Sequence, residues 1–164
     1  MVYRALSFAL SIFWVSFMAQ ASGTHAHGEL AIGEPGQADK ISRSITIDMQ
    51  DSMRFVPATL RVKQGETIRL LVRNTGALAH ELVLGKSKDL QAHAKLMQQS
   101  PQMHHHDPNS LSIAPGAQGE LVWHFTRAMT VDFACLQPGH FEAGMKGKIE
   151  VTKAKSGANE AHAH

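Results

Sequence analysis

The sequence holds a single cysteine, Cys135, so no disulfide can form within the chain. In an oxidising compartment a lone exposed thiol is an oxidation liability. Cys135 is therefore expected to be buried and inert, or held as a bound thiolate. A bias of charge is also missing: 16 Lys and Arg stand against 14 Asp and Glu, a formal net of +2. Such a balance gives no electrostatic grip on nucleic acid or on an anionic membrane. Beyond the amino-terminal leader no segment is apolar enough to span a bilayer, and no internal repeat is evident. What the chain does have in quantity is histidine, 11 residues unevenly placed.

The amino terminus reads as an export signal. Arg4 precedes an apolar run from Ala5 to Ala19, and Ala19-Gln20-Ala21 is a small-x-small cleavage site. The expectation is a signal peptide over residues 1–21, cut after Ala21, with no stable membrane insertion afterwards. A retained anchor is the rival, but about 15 apolar residues fall short of the ~20 that span a bilayer. Residues 22–40 are small, polar and glycine-rich, and read as a flexible arm. His25 and His27 in that arm are either a weak chelating pair or part of a solubilising tail. Residues 154–164 form a similar tail that ends Ala-His-Ala-His.

From residue 41 the pattern turns to alternation. Ile45, Ile47 and Met49 alternate with Ser44, Thr46 and Asp48, as in a strand with one buried face. Leu60 to Lys63, Thr67 to Arg73 and Glu81 to Leu84 follow, separated by Gly and Asn turns. Later come Ser110 to Ile113, Glu120 to Thr126, Thr130 to Ala134 and Lys148 to Thr152. Short strands between such turns predict an all-β Greek-key β-sandwich of about seven or eight strands, mainly antiparallel. The domain should span 41–153. Trp123, Phe125, Leu70, Val72 and Ile47 read as core, Met49 and Met53 as packing, and His124 as a surface or hydrogen-bonded histidine.

An insert over 86–109 breaks the strand pattern. Asp89 to Met97 favours a helix, with Ser87 able to cap it. On that helix His93 and Met97 stand at i and i+4. Met103, His104, His105 and His106 follow in a proline-bounded loop. Thioethers favour Cu(I) and imidazoles accept either oxidation state, so these six side chains are a candidate copper site, which would be second to any formed around Cys135. The alternative is a solvated loop with incidental histidines.

The chemistry concentrates between Phe133 and Gly147. Cys135 is followed five positions later by His140 and five further on by Met145. A thiolate, an imidazole and a thioether suit copper better than a hard cation. A trigonal site needs a second imidazole, and His80, between two strands, is the candidate. Zinc competes for Cys and two His, although a thioether is a poor zinc ligand. A Cys–His nucleophile pair is a third option, but no orienting group or oxyanion feature accompanies it, and no enzyme is expected.

The pairing of His80-Glu81-Leu82-Val83-Leu84-Gly85 with Cys135-x4-His140-x4-Met145 resembles the cupredoxin family. The stretch Met53 to Glu66 and Arg73-Asn74-Thr75-Gly76 add to the likeness, which covers about residues 43–152. It looks nearest to the small periplasmic cupredoxins linked to copper tolerance. The resemblance implies His80, Cys135 and His140 as equatorial ligands, Met145 as the axial ligand, and one-electron cycling between Cu(II) and Cu(I). One position departs from the family: Glu81 stands where electron carriers commonly have Asn or Ser, so potential and colour, blue or green, stay open. Three uses of one site follow: a periplasmic copper-tolerance protein, an electron carrier between redox partners, or a chaperone or buffer handing copper to a transport protein or oxidase. A monomer is expected in each case.

Overall fold

The computed structural model describes residues 31–99 and 107–154. Ten strands and one α-helix appear in the order β1 (Glu34–Pro35), β2 (Arg43–Gln50), β3 (Arg54–Val56), β4 (Thr59–Lys63), β5 (Thr67–Asn74), β6 (His80–Gly85), α1 (Ser87–Gln99), β7 (Ser110–Ile113), β8 (Gln118–His124), β9 (Thr130–Ala134) and β10 (Lys146–Thr152). They form two five-stranded sheets, ordered β1-β8-β5-β2-β3 and β4-β10-β9-β6-β7. This is the all-β sandwich that the alternation predicts. The strands beyond the expected number include β1 and β3, too short to show a period of two.

Two neighbouring pairs are parallel, β2 with β5 and β4 with β10. The chain leaves the first sheet after β3, adds β4 to the second, and returns as β5. A strand that returns after crossing sheets enters from the same end as β2, so parallel pairing follows from the Greek-key path. The two inner faces meet in one core that includes Ile47, Leu70, Val72, Trp123, Phe125, Phe133 and Ile149, none more than 1% exposed. Each such side chain stabilises the fold by roughly 1.5–3 kcal/mol. Phe55 packs edge-on against Phe133, ring centroids 5.0 Å apart at 77°, which joins β3 to β9, the strand that leads into Cys135. Met49 is fully buried and Met53 packs beside the core. His124 Nδ1 lies 3.0 Å from the Thr67 hydroxyl, a satisfied histidine.

The expected flexible arm is packed in its second half. β1 pairs with the edge of β8, Ile32 is buried, and its carbonyl accepts the Trp123 indole N–H at 3.1 Å. Main-chain pairing and one apolar residue suffice, and neither leaves a composition signal. The expected signal peptide over residues 1–21, residues 22–30 of the arm and the tail from 155 lie outside the described residues.

Helix α1 forms where the insert was expected to be helical. Leu90, Ala94 and Met97, at i, i+4 and i+7, make its buried stripe. They pack on Val83, Ala134 and Leu136, so the helix braces the two strands that carry His80 and Cys135. No helix among the described residues is long and apolar enough to cross a membrane.

Candidate metal centre

Strands β6 and β9 are antiparallel, with Val83 opposite Ala134. The start of β6 and the end of β9 therefore fall at one end of the sandwich. His80 opens β6 and Cys135 directly follows β9, and both are completely buried. The loop from Cys135 to β10 folds back on itself. The N–H of His140 donates to Gln137 O at 3.0 Å, that of Met145 to His140 O at 3.0 Å, and that of Cys135 to Met145 O at 3.1 Å. Gly139 supplies the positive φ, +83°, needed at the turn. Gly147 lets the chain leave the loop, since a Cβ there would run into the Phe133 ring and Ala58 O. From outside, the Arg54 guanidinium donates to Ala143 O at 3.0 Å and pins the loop to β3.

Three donor atoms converge inside this loop. His80 Nδ1 and His140 Nδ1 are 3.2 Å apart, and Cys135 Sγ is 3.3 Å from His140 Nδ1. The three donors all lie within 4.8 Å of one another. Donors each roughly 2.0–2.3 Å from a shared ion have separations of this order. Met145 is fully buried in the same loop. His140 is half-buried and supplies the edge nearest to solvent.

The electrostatics act in opposite senses on the thiol and the imidazole, keeping both neutral in the metal-free protein. Burial pushes the Cys135 thiol up to about 11, while main-chain N–H bonds from Glu81 and Gln137 pull the other way and the Glu81 carboxylate adds to the rise. Burial, with His80 beside it, lowers the His140 pKa, although Asp51 opposes the shift. A lowered pKa favours the neutral imidazole, the form that donates a lone pair.

The departure at Glu81 has a structural explanation. Its main-chain N–H donates to Cys135 Sγ at 3.4 Å, so support for sulfur comes from the backbone and does not need an amide or hydroxyl side chain. The carboxylate instead accepts Leu136 N–H at 2.9 Å and the Ser112 hydroxyl at 3.4 Å. It ties the residue after the cysteine to β6 and β7.

Sequence reasoning missed Asp51, in the β2–β3 turn. It accepts N–H groups from Ala77 at 2.7 Å and Leu78 at 3.2 Å, and its Oδ1 lies 3.1 Å from His80 Nε2. The Ala77 bond leads in holding its carboxyl below the ordinary range, followed by Leu78 and His80 against some desolvation. Gln50-Asp51-Ser52 reads only as a turn, and nothing local marks a partner 29 positions away. Asn74 was also missed; its buried amide donates to Leu78 O at 2.7 Å and Ile113 O at 3.1 Å, shaping the loop before His80.

Of the six insert candidates the structure describes two, His93 and Met97, and it does not bring their side chains together on one face. Met97 is 6% exposed and packs under the β6–β9 strands, so its thioether is committed to the core and does not pair with His93 on an open face. His93 is half-buried and lines a groove with Asp89 and Asp107. Met103 and His104 to His106 lie outside the described residues.

The fold and the donor set define a cupredoxin. Residues 41–152 match the model of the copper-binding proteins of the plastocyanin/azurin family, and the chain belongs to that family. It is 50% identical over 131 residues to the copper-resistant cuproprotein CopI of Rubrivivax gelatinosus, covering 79% of each chain. It is 37% identical to the protein of that name from Pseudomonas aeruginosa, over 90% of this chain and 97% of the relative. Reduced auracyanin from Roseiflexus castenholzii shares the fold, with a TM-score of 0.59 at 23% identity over 68% of this chain and 98% of that one. An azurin from Methylomonas sp. strain J does so with a TM-score of 0.54 at 20% identity, over 67% of this chain and 98% of the azurin.

Proposed function

We propose that this protein is an exported, periplasmic type 1 copper protein serving copper tolerance, with His80, Cys135, His140 and Met145 as its ligands. The observation that carries the reading is the convergence of two imidazole nitrogens and one thiol sulfur within 4.8 Å at a buried end of the sandwich. Two imidazoles, a thiolate and a thioether are the donors a type 1 site uses, and a zinc site has no use for the thioether. The relatives named as copper-resistant cuproproteins support the physiological role.

Bound copper would supply one-electron exchange between Cu(II) and Cu(I). The chain's part is to keep the donors in place for both states. Brace, loop and second-layer bonds hold the backbone of all four positions, so little rearrangement accompanies a change of charge. With four protein donors in this reading, the site serves as a holder and carrier of copper, and we assign it no catalytic turnover. This reading assigns one copper ion to these four ligands.

A carrier of electrons between partners would use the same ligands, and the half-buried His140 edge favours some exchange with the outside. Copper loading tests the site: Cu(II) should give an intense visible thiolate band that Cys135→Ser abolishes. A colourless, zinc-filled native protein would overturn it. A deletion strain that grows normally in copper but loses respiratory electron flow would replace tolerance with electron transfer.

A further inference from the structure

Asp51 reaches the centre from outside the ligand loop. Its Oδ1 lies 3.1 Å from His80 Nε2 and accepts Leu78 N–H at 3.2 Å, while Oδ2 accepts Ala77 N–H at 2.7 Å. The turn is built around this carboxylate, because a Cβ at Gly76 would collide with it. An ionised carboxylate only accepts hydrogen bonds, so the hydrogen of a neutral His80 sits on Nε2. The lone pair is then on Nδ1, the atom that faces His140 and Cys135.

We propose that Asp51 is the positioning residue of the centre, and that its carboxylate fixes the His80 tautomer and strengthens Nδ1 as a donor so as to favour Cu(II) over Cu(I). The proposal rests on the copper reading above. A carboxylate on the far nitrogen of a ligating imidazole orients the ring and raises its basicity. The more highly charged oxidation state gains more from the stronger donor. The carboxylate also ties the ligand to the loop it follows, since the N–H groups of Ala77 and Leu78 share it. The side chain is 38% exposed, so solvent weakens but does not remove its field at the ring.

The test uses the full mature chain in three forms: wild type, Asp51→Asn and Asp51→Glu. Asparagine keeps the size and an acceptor oxygen but carries no charge. The expected result in Asp51→Asn is a loss of about tenfold in Cu(II) affinity relative to Cu(I), read as a rise of about 59 mV in reduction potential. Asp51→Glu should recover part of that rise, and all three forms should keep the visible band. An unchanged potential in Asp51→Asn overturns the proposal, even if its melting temperature falls, because a purely structural role would lower stability alone. The second readout needs no copper: nitrogen NMR of the metal-free wild type at mildly alkaline pH should show His80 protonated on Nε2. Protonation on Nδ1 overturns the proposal too. Failure of the copper reading is seen separately, as absence of the thiolate band in the wild type.

Discussion

The N–H of Cys135 donates to the carbonyl of Met145 at 3.1 Å, closing the ligand loop at its neck. The two outermost of the proposed ligands in the loop are thus joined by main chain, independently of any ion. Replacing the Met145 side chain leaves that bond intact. Met145→Leu is close to volume-conserving and should cost the metal-free protein under about 1.5 kcal/mol, read by thermal or urea unfolding. Copper-loaded Met145→Leu should keep the visible band, because the thiolate that produces it is untouched. Loss of the band would make Met145 an equal partner in the donor set and not a weak axial one.

The metal-free thiol of Cys135 gives a pH dependence with a definite sign. Burial holds its pKa at about 11, so at neutral pH copper must displace a proton to bind the thiolate. Apparent copper affinity should therefore rise about tenfold per pH unit between neutrality and about 11, then level off. Competition with a chelator of known proton affinity measures it. A flat profile would mean the thiolate already exists in the metal-free protein.

Glu66 offers a second pH test, away from the site. Partial burial disfavours its charge, but the Arg43 guanidinium and the Lys63 N–H outweigh this and leave its pKa below the ordinary 4.5. A depressed folded-state pKa stabilises the protein above the unfolded value and loses that effect as pH falls through the folded one. Glu66→Gln should cost up to about 1 kcal/mol at neutral pH, since the pair is near the surface. The gap between the two unfolding curves should close on acidification below 4.5. A gap that persists there would make the loss one of packing, not charge.

How far the sequence reached depended on the range of each interaction. Alternation along β2, β5 and β8 is local, so the sandwich and its core could be read directly. Cys135, His140 and Met145 share one loop, and His80 carries a flanking pattern of its own. Asp51, Asn74 and the Arg54 clamp act through contacts between distant turns, and single turn residues carry no mark of such partners. Glu81 was legible as a departure, but its effect depends on which of its groups meets the sulfur. The packed half of the arm was hidden because β1 contributes backbone, not side chains, to its pairing.

Met97 shows how a metal-binding residue type can be claimed by the core. Its helix position suggests a partnership with His93, yet 6% exposure and contact with the cluster of Val83, Leu90 and Leu136 place the thioether among hydrocarbons. Truncation should therefore act on stability first. Met97→Ala removes a buried side chain and should cost about 2–5 kcal/mol in metal-free unfolding. The helix would also loosen against β6 and β9, the strands that present His80 and Cys135. Met97→Leu retains the volume and should cost under about 1.5 kcal/mol. Copper stoichiometry of the leucine variant should equal that of the wild type. A loss of one copper ion per chain in Met97→Leu, with stability unchanged, would return this residue to a second metal site.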